Sequence, residues 1–192
     1  MLSIKKSVAI ALLLGVTTIQ GCAVLVVGAG VGAASAAHDR RTLGAQVDDK
    51  TAASKISVAL NEVEALKKHT NITVQVFNGT ALLVGQAPSN ELIQLAQQTA
   101  GSIKNIKKLH NQIRLGKPIS TSAAANDVWL ASKVKTQLLA DKRVDGLNVE
   151  IEVENAEVFL MGLVSQQEAN IAVDITRNIE GVKQVVKAFE YF

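Results

Sequence analysis

Cysteine is nearly absent from this chain: its 192 residues hold one, Cys22. That excludes a disulfide framework, a cysteine-based zinc site and a Cys/His catalytic pair in the body of the protein. Proline is scarce too, with two residues, which argues against long disordered tracts. Aromatic side chains are limited to four Phe, one Trp and one Tyr, so the 48% hydrophobic content rests on Ala, Val, Leu and Ile. A dominant charge sign is also missing. The formal net charge is +3, and setting aside Lys5 and Lys6 near the N-terminus leaves 18 basic against 17 acidic residues. A strongly basic nucleic-acid binder is therefore not indicated. The length suits one ordinary domain or two small ones.

What is present begins with a leader. Lys5 and Lys6 precede the apolar run Val8 to Leu14, the layout of a secretory signal over residues 1–21. Ile19-Gln20-Gly21-Cys22 follows at once and resembles a lipobox: an aliphatic residue, a tolerant position, a small residue and the cysteine. The resemblance implies cleavage before Cys22 and lipidation of its thiol, with acyl chains of the palmitate class as the anchor. Several chains hold firmly where one holds weakly, at ~0.8 kcal/mol per buried methylene. A spanning helix is the alternative, but Val8 to Ile19 is too short for ~30 Å of hydrocarbon. A longer span would be broken by Gly15, Gly21, Gly28, Gly30 and Gly32. Ala23, after the cysteine, is not Asp, and the resemblance implies delivery to the outer membrane with the body facing the periplasm. Residues 22–50 then read as a lipidated tether ending in the polar lead-in Asp39-Arg40-Arg41-Thr42-Leu43-Gly44.

Self-comparison shows two copies of one unit. Ala53-Ser54-Lys55-Ile56 matches Ala131-Ser132-Lys133-Val134 at an offset of 78, and Val76-Phe77-Asn78 matches Val153-Glu154-Asn155 at 77. Gly85 and Glu91 find counterparts in Gly162 and Glu168. The copies occupy residues 51–116 and 126–192, with 117–125 as linker. Within each, a helical stripe (Ala52, Ile56, Leu60; Leu130, Val134, Leu138) gives way to alternation (Ile72, Val74, Val76; Val149, Ile151, Val153). Asn78-Gly79 is a strong hairpin turn, while Asn155-Ala156 is poorer because Ala disfavours positive φ. A second strand follows, then a second helix opened by Ser89 or by the capping box Ser165-Gln166-Gln167-Glu168, then a last strand. The fold class is α+β: each unit runs helix-strand-strand-helix-strand, with a three-stranded mixed sheet packed on two helices. At such a size each unit is marginal alone, so docking between copies is expected.

Val74-x-Val76-x-Asn78-Gly79-x-Ala81-x-Leu83-x-Gly85, with Ile103-x-x-Ile106 after the Glu91 helix, resembles the BON domain. Glu180-Gly181-Val182-x-x-Val185 in the second copy fits more closely. With the lipobox and the lead-in, the whole is similar to dual-BON outer-membrane lipoproteins. That resemblance implies a non-enzymatic role in cell-envelope integrity, recognition of anionic phospholipid and recruitment to cell-division sites.

Catalysis finds no support in the residues. His38, His69 and His110 are scattered, and no nucleophile, base and orienting group converge. No cofactor or metal ligand set is expected; Gly28-x-Gly30-x-Gly32 lacks the context of a phosphate loop. Glu150, Glu152 and Glu154 read as the solvated face of an alternating strand. The better candidate is the helix holding Trp129, Lys133, Lys135 and Thr136. Trp129 lies ~100° around from Leu130, on a flank shared with Lys133 and Thr136, and the first copy has Thr51 in its place. An aromatic ring beside ammonium groups, with Lys142 and Arg143 nearby, suits a phosphatidylglycerol-like membrane surface; packing against the other domain is the alternative. Total charge points the other way. Residues 51–116 hold 7 basic and 3 acidic side chains, whereas 127–192 hold 7 and 11. Those opposite signs could instead hold the domains together. An adaptor for outer-membrane assembly or cell-wall machinery is the competing function.

Overall fold

Two N-caps set where the first helix of each copy begins. In the computed structural model, which describes residues 39–192, the Thr42 hydroxyl accepts from the Ala45 amide and starts helix α1 (Leu43–Glu62). Ser120 accepts from Ala123 and starts α4 (Thr121–Ala140). Both helices thus begin inside the segments read from sequence as lead-in and linker, because the capping side chains lie there. The leader, Cys22, His38 and the Gly28–Gly32 run lie outside the described residues.

After α1, a short helix α2 (Glu64–His69) leads into β1 (Asn71–Phe77), β2 (Thr80–Ala87), α3 (Asn90–Gly101) and β3 (Lys108–Leu115). The second copy repeats the order as α4, β4 (Glu150–Glu154), β5 (Glu157–Val164), α5 (Gln166–Arg177) and β6 (Gln184–Tyr191). A 3-10 turn at Gly146–Asn148 precedes β4. In each sheet the central strand pairs antiparallel with its hairpin partner and parallel with the last strand. The tight turn permits the first arrangement and the crossover helix the second. The capping box forms fully at Ser165 and Glu168.

Each sheet is buried on both faces. One face of the first carries Val76, Ala81, Leu83 and Ile113 against Ala52, Ile56 and Leu60 of α1. In the second, Val153, Val158 and Leu160 meet Leu130, Val134 and Leu138 of α4. The opposite faces share a third core, in which Phe77, Leu82 and Val84 pack on Phe159, Met161 and Ala188. The layer order is helix, sheet, sheet, helix. Neither small domain could bury both faces of its sheet alone, and the shared core covers what each leaves open.

Polar contacts frame that shared core. Arg114 forms a forked pair with Glu157, the shorter contact being 2.6 Å. Glu190 accepts from Asn78 Nδ2 at 2.6 Å and Thr80 Oγ1 at 2.7 Å. The lead-in contributes as well: Arg40 Nη2 reaches Glu168 at 2.7 Å, its backbone N–H donates to Asn148, and Arg41 binds Asp49 at 2.8 Å. The Glu150–Glu154 strand departs from the expectation of a solvated face. Glu150 is exposed, but Glu152 accepts from Gln75 Nε2 at 3.0 Å and Glu154, 9% exposed, from Gln86 Nε2 at 2.6 Å. Alternation alone shows that one side of a strand is polar; here that side meets the other domain.

Candidate functional site

Helix α4 is amphipathic in an unusual way. Its inward stripe, Leu130, Val134 and Leu138, is fully buried. Turning ~180° around the axis brings Ala125, Val128, Ser132 and Leu139 outward, flanked by Trp129 and Thr136, and none of these six carries a charge. Val128 is 70% exposed, Trp129 56% and Leu139 50%. Leu147, in the 3-10 turn that packs beside the helix end, is also exposed. Solvent-facing helix surfaces normally carry the charged residues, so a contiguous uncharged face with a Trp on it is a candidate contact surface.

The four residues singled out from sequence separate in the structure. Lys133 Nζ stands 4.2 Å from the Trp129 ring centroid and donates to the Glu180 carbonyl at 3.1 Å. It therefore lies at the edge of the apolar face with its charge available to an anion beside the ring. Thr136 is exposed on the same side, its hydroxyl turned back to the Ser132 carbonyl at 2.8 Å. Lys135 faces elsewhere: its ammonium donates to the carbonyls of Gly146 and Val149, both at 2.8 Å. Burial there pushes its pKa down, partly offset by Glu150 and Asp145. Lys135 thus holds the 3-10 turn onto the helix, because 100° steps carry it to the side opposite Lys133. Arg143 is engaged by Asp141 at 2.7 Å, and its guanidinium holds that carboxyl at about 2. Trp129 is exposed, so packing against the first domain is not realised. Val128, Leu139 and Leu147 escaped the sequence reading, although completing the helical wheel past Trp129 would have found the first two.

The charge conflict between the domains resolves in part at the same level. Glu154, Glu157, Glu168 and Glu190 all face the first domain or the lead-in. Four of the eleven acidic residues of the second copy are thus engaged by the first domain or the lead-in, while Asp174 and Glu180 lie beside Lys133 and Arg143 at one edge of α4.

Two further residues missed from sequence are Asp49 and Asp127, buried at 4% and 5% exposure on the first helix of each copy. Each carboxylate accepts both central amides of its hairpin turn: Asn78 and Gly79 at 2.6 and 2.8 Å, Asn155 and Ala156 at 2.7 and 2.8 Å. Among the described residues no cluster of His, Cys, Asp and Glu is arranged to hold a metal ion, and no helix is long and apolar enough to cross a membrane.

Comparison with known families matches the BON domain twice, at residues 48–117 and 126–191. The chain is 37% identical over 183 residues to the outer membrane lipoprotein DolP of Haemophilus influenzae, covering 95% of each. It is 34% identical over 153 residues to a 21 kDa hemolysin of Actinobacillus pleuropneumoniae, covering 80% of this chain and 79% of that one. Among solved structures, the C-terminal domain of CdsD, a type III secretion structural protein of Chlamydia trachomatis, aligns with 75% of this chain and 67% of its own. The TM-score is 0.30 at 16% identity.

Proposed function

The chain belongs to the BON-domain family, as a two-domain relative of an outer membrane lipoprotein, and from that premise we propose that it is a non-enzymatic lipid-docking module of the outer membrane. In this reading the acylated Cys22 anchors it on the periplasmic side, and the outward face of α4 settles into the headgroup layer of anionic, phosphatidylglycerol-like lipid. Val128, Trp129 and Leu139 enter the interface, Thr136 meets the headgroups, and Lys133 pairs with phosphate. Its cellular role is maintenance of envelope integrity, with recruitment to division sites following from lipid composition there. The observation that carries the reading is the uncharged, Trp-bearing outer face of a helix whose inner face is already fully used.

The test is binding of the mature chain, carrying Cys22→Ser so that acyl chains do not mask the contact, to phosphatidylglycerol vesicles. Trp129→Ala is expected to weaken binding about tenfold, the equivalent of ~1.4 kcal/mol. Equal binding by both chains would remove Trp129 from the contact, and absence of binding would remove the lipid function.

A second reading, a periplasmic adaptor for outer-membrane assembly or cell-wall machinery, is favoured by one observation. Helix α1, on the far side of the layered body, leaves Leu43 67%, Val47 64% and Val58 54% exposed. Photo-crosslinkers at positions 129 and 47 distinguish the two: lipid adducts at the first support docking, and a protein adduct at the second supports the adaptor.

A further inference from the structure

The carboxylates around the domain interface differ in their partners, and Glu190 takes Asn78 and Thr80. Glu157, Glu168 and Glu150 each face an arginine, respectively Arg114, Arg40 and Arg41. Glu152 and Glu154 face glutamines instead. Gln86 has no freedom to do otherwise: its carbonyl oxygen accepts from the Ile119 amide at 3.1 Å, which leaves its NH₂ to Glu154 at 2.6 Å. Gln75 donates to Glu152 at 3.0 Å.

The charges that act on the two glutamates are negative. Asp127 of α4 acts on both glutamates, and Glu154 acts on Glu152. All three carboxylates line one groove of about 270 Å³ between α4 and β1, together with Asn71, Thr73 and Val128. Asp127 is committed to the Asn155 and Ala156 amides. A buried carboxylate that faces an amide and other carboxylates is costly in its ionised form and much less so when protonated.

We propose that the contact between the two domains is proton-sensitive: Glu152 and Glu154 take up protons on mild acidification, and the domains then grip each other more tightly. Burial is the main cause and raises both carboxyls above the ordinary range, with Gln75 and Gln86 working against it. The sign follows. A carboxyl raised in the docked state weakens docking while ionised, and the penalty disappears as pH falls toward its undocked value near 4.3. The arginine-paired Glu168, held at about 2, stays ionised throughout that window. His110, on β3 in register with Leu82, is a second group with a shifted pKa; burial and then Lys108 lower it. Its protonation would act in the opposite sense.

The experiment is amide hydrogen exchange on the full mature chain at pH 7.5 and 5.0, corrected for intrinsic exchange, following β1, β4 and β5. Protection of these strands is expected to rise at least about threefold on acidification. In Glu152→Gln/Glu154→Gln it should already be high at pH 7.5 and change little. Persistence of the response in His110→Gln is also expected. Three results would each overturn the proposal: no acid-dependent gain in the unaltered chain, an unchanged gain in the double variant, or loss of the gain in His110→Gln. Should the double variant fail to fold, Glu152→Gln alone, at the less buried site, is expected to halve the response, and an undiminished response would count against it.

Discussion

Asp127 Oδ1 accepts the amide of Ala156 at 2.8 Å, and the bond secures an alanine with φ at 63°. The turn Asn155-Ala156 has both central residues at positive φ, as does Asn78-Gly79, the geometry that matches hairpin twist. An L-residue with a Cβ pays roughly 1–2 kcal/mol there. Ala156→Gly should therefore stabilise the protein by about 0.5–1 kcal/mol after the added unfolded-chain entropy is subtracted. Asp127→Ala should destabilise it by about 2–3 kcal/mol, since two amides lose their acceptor. Urea unfolding midpoints check both, and a destabilising Ala156→Gly would refute the account of the turn.

Gly85 and Gly162 mark the closest approach of each hairpin. A Cβ added at Gly85 would lie 1.8 Å from the Asn71 carbonyl oxygen, and one at Gly162 would lie 2.3 Å from that of Asn148. Backbone cannot yield as a side-chain tip can. Gly85→Ala and Gly162→Ala are each expected to cost more than ~3 kcal/mol or to prevent folding. Thermal melts showing a near-normal transition in either would contradict this.

Lysines 133 and 135, two residues apart, should behave oppositely. Lys135→Met strips a donor from two carbonyls and should lower stability by about 1–3 kcal/mol while leaving vesicle binding intact at temperatures where the chain is folded. Lys133→Met should leave stability within about 0.5 kcal/mol yet weaken binding to phosphatidylglycerol vesicles. Paired melting and flotation measurements separate the two roles.

Acid should act on the lead-in through Glu168. Arg40 is the main cause of its lowered carboxyl, with the capping contacts of Ser165 adding to it. A carboxyl depressed to about 2 contributes stability that is present above ~4.3 and lost as pH falls toward the lower value. The acid limb of the stability curve between about pH 4.3 and 2 should flatten in Arg40→Ala. An unchanged limb, read by urea midpoints across that range, would show that the pair contributes little.

Much of this architecture is legible in the chain. The 78-residue offset, the change of period from 3.6 to 2 and the Asn-Gly turn show two helix-strand-strand-helix-strand units, because each signal is local and the spacing of apolar residues depends only on backbone geometry. Trp129 was legible as an oddity because the first copy has Thr51 there. The roles of Glu152, Glu154 and Lys135 were not. An exposed and a buried polar residue obey the same alternation, and only the neighbour across the interface tells them apart. Asp49 and Asp127 were missed for a similar reason, since their partners lie 29 and 28 residues away at the Asn78 and Asn155 amides.

The residues alone determined the repeat, the mixed sheets and the apolar stripe of each first helix, since these follow from hydrophobic periodicity and turn chemistry within short windows. Tertiary structure decided which second face each sheet buries, which carboxylates meet arginine and which meet only an amide, and that the uncharged outer side of α4 is left uncovered by the first domain. Those outcomes depend on how two units of opposite net charge dock, and docking is a property of surfaces that no stretch of sequence contains.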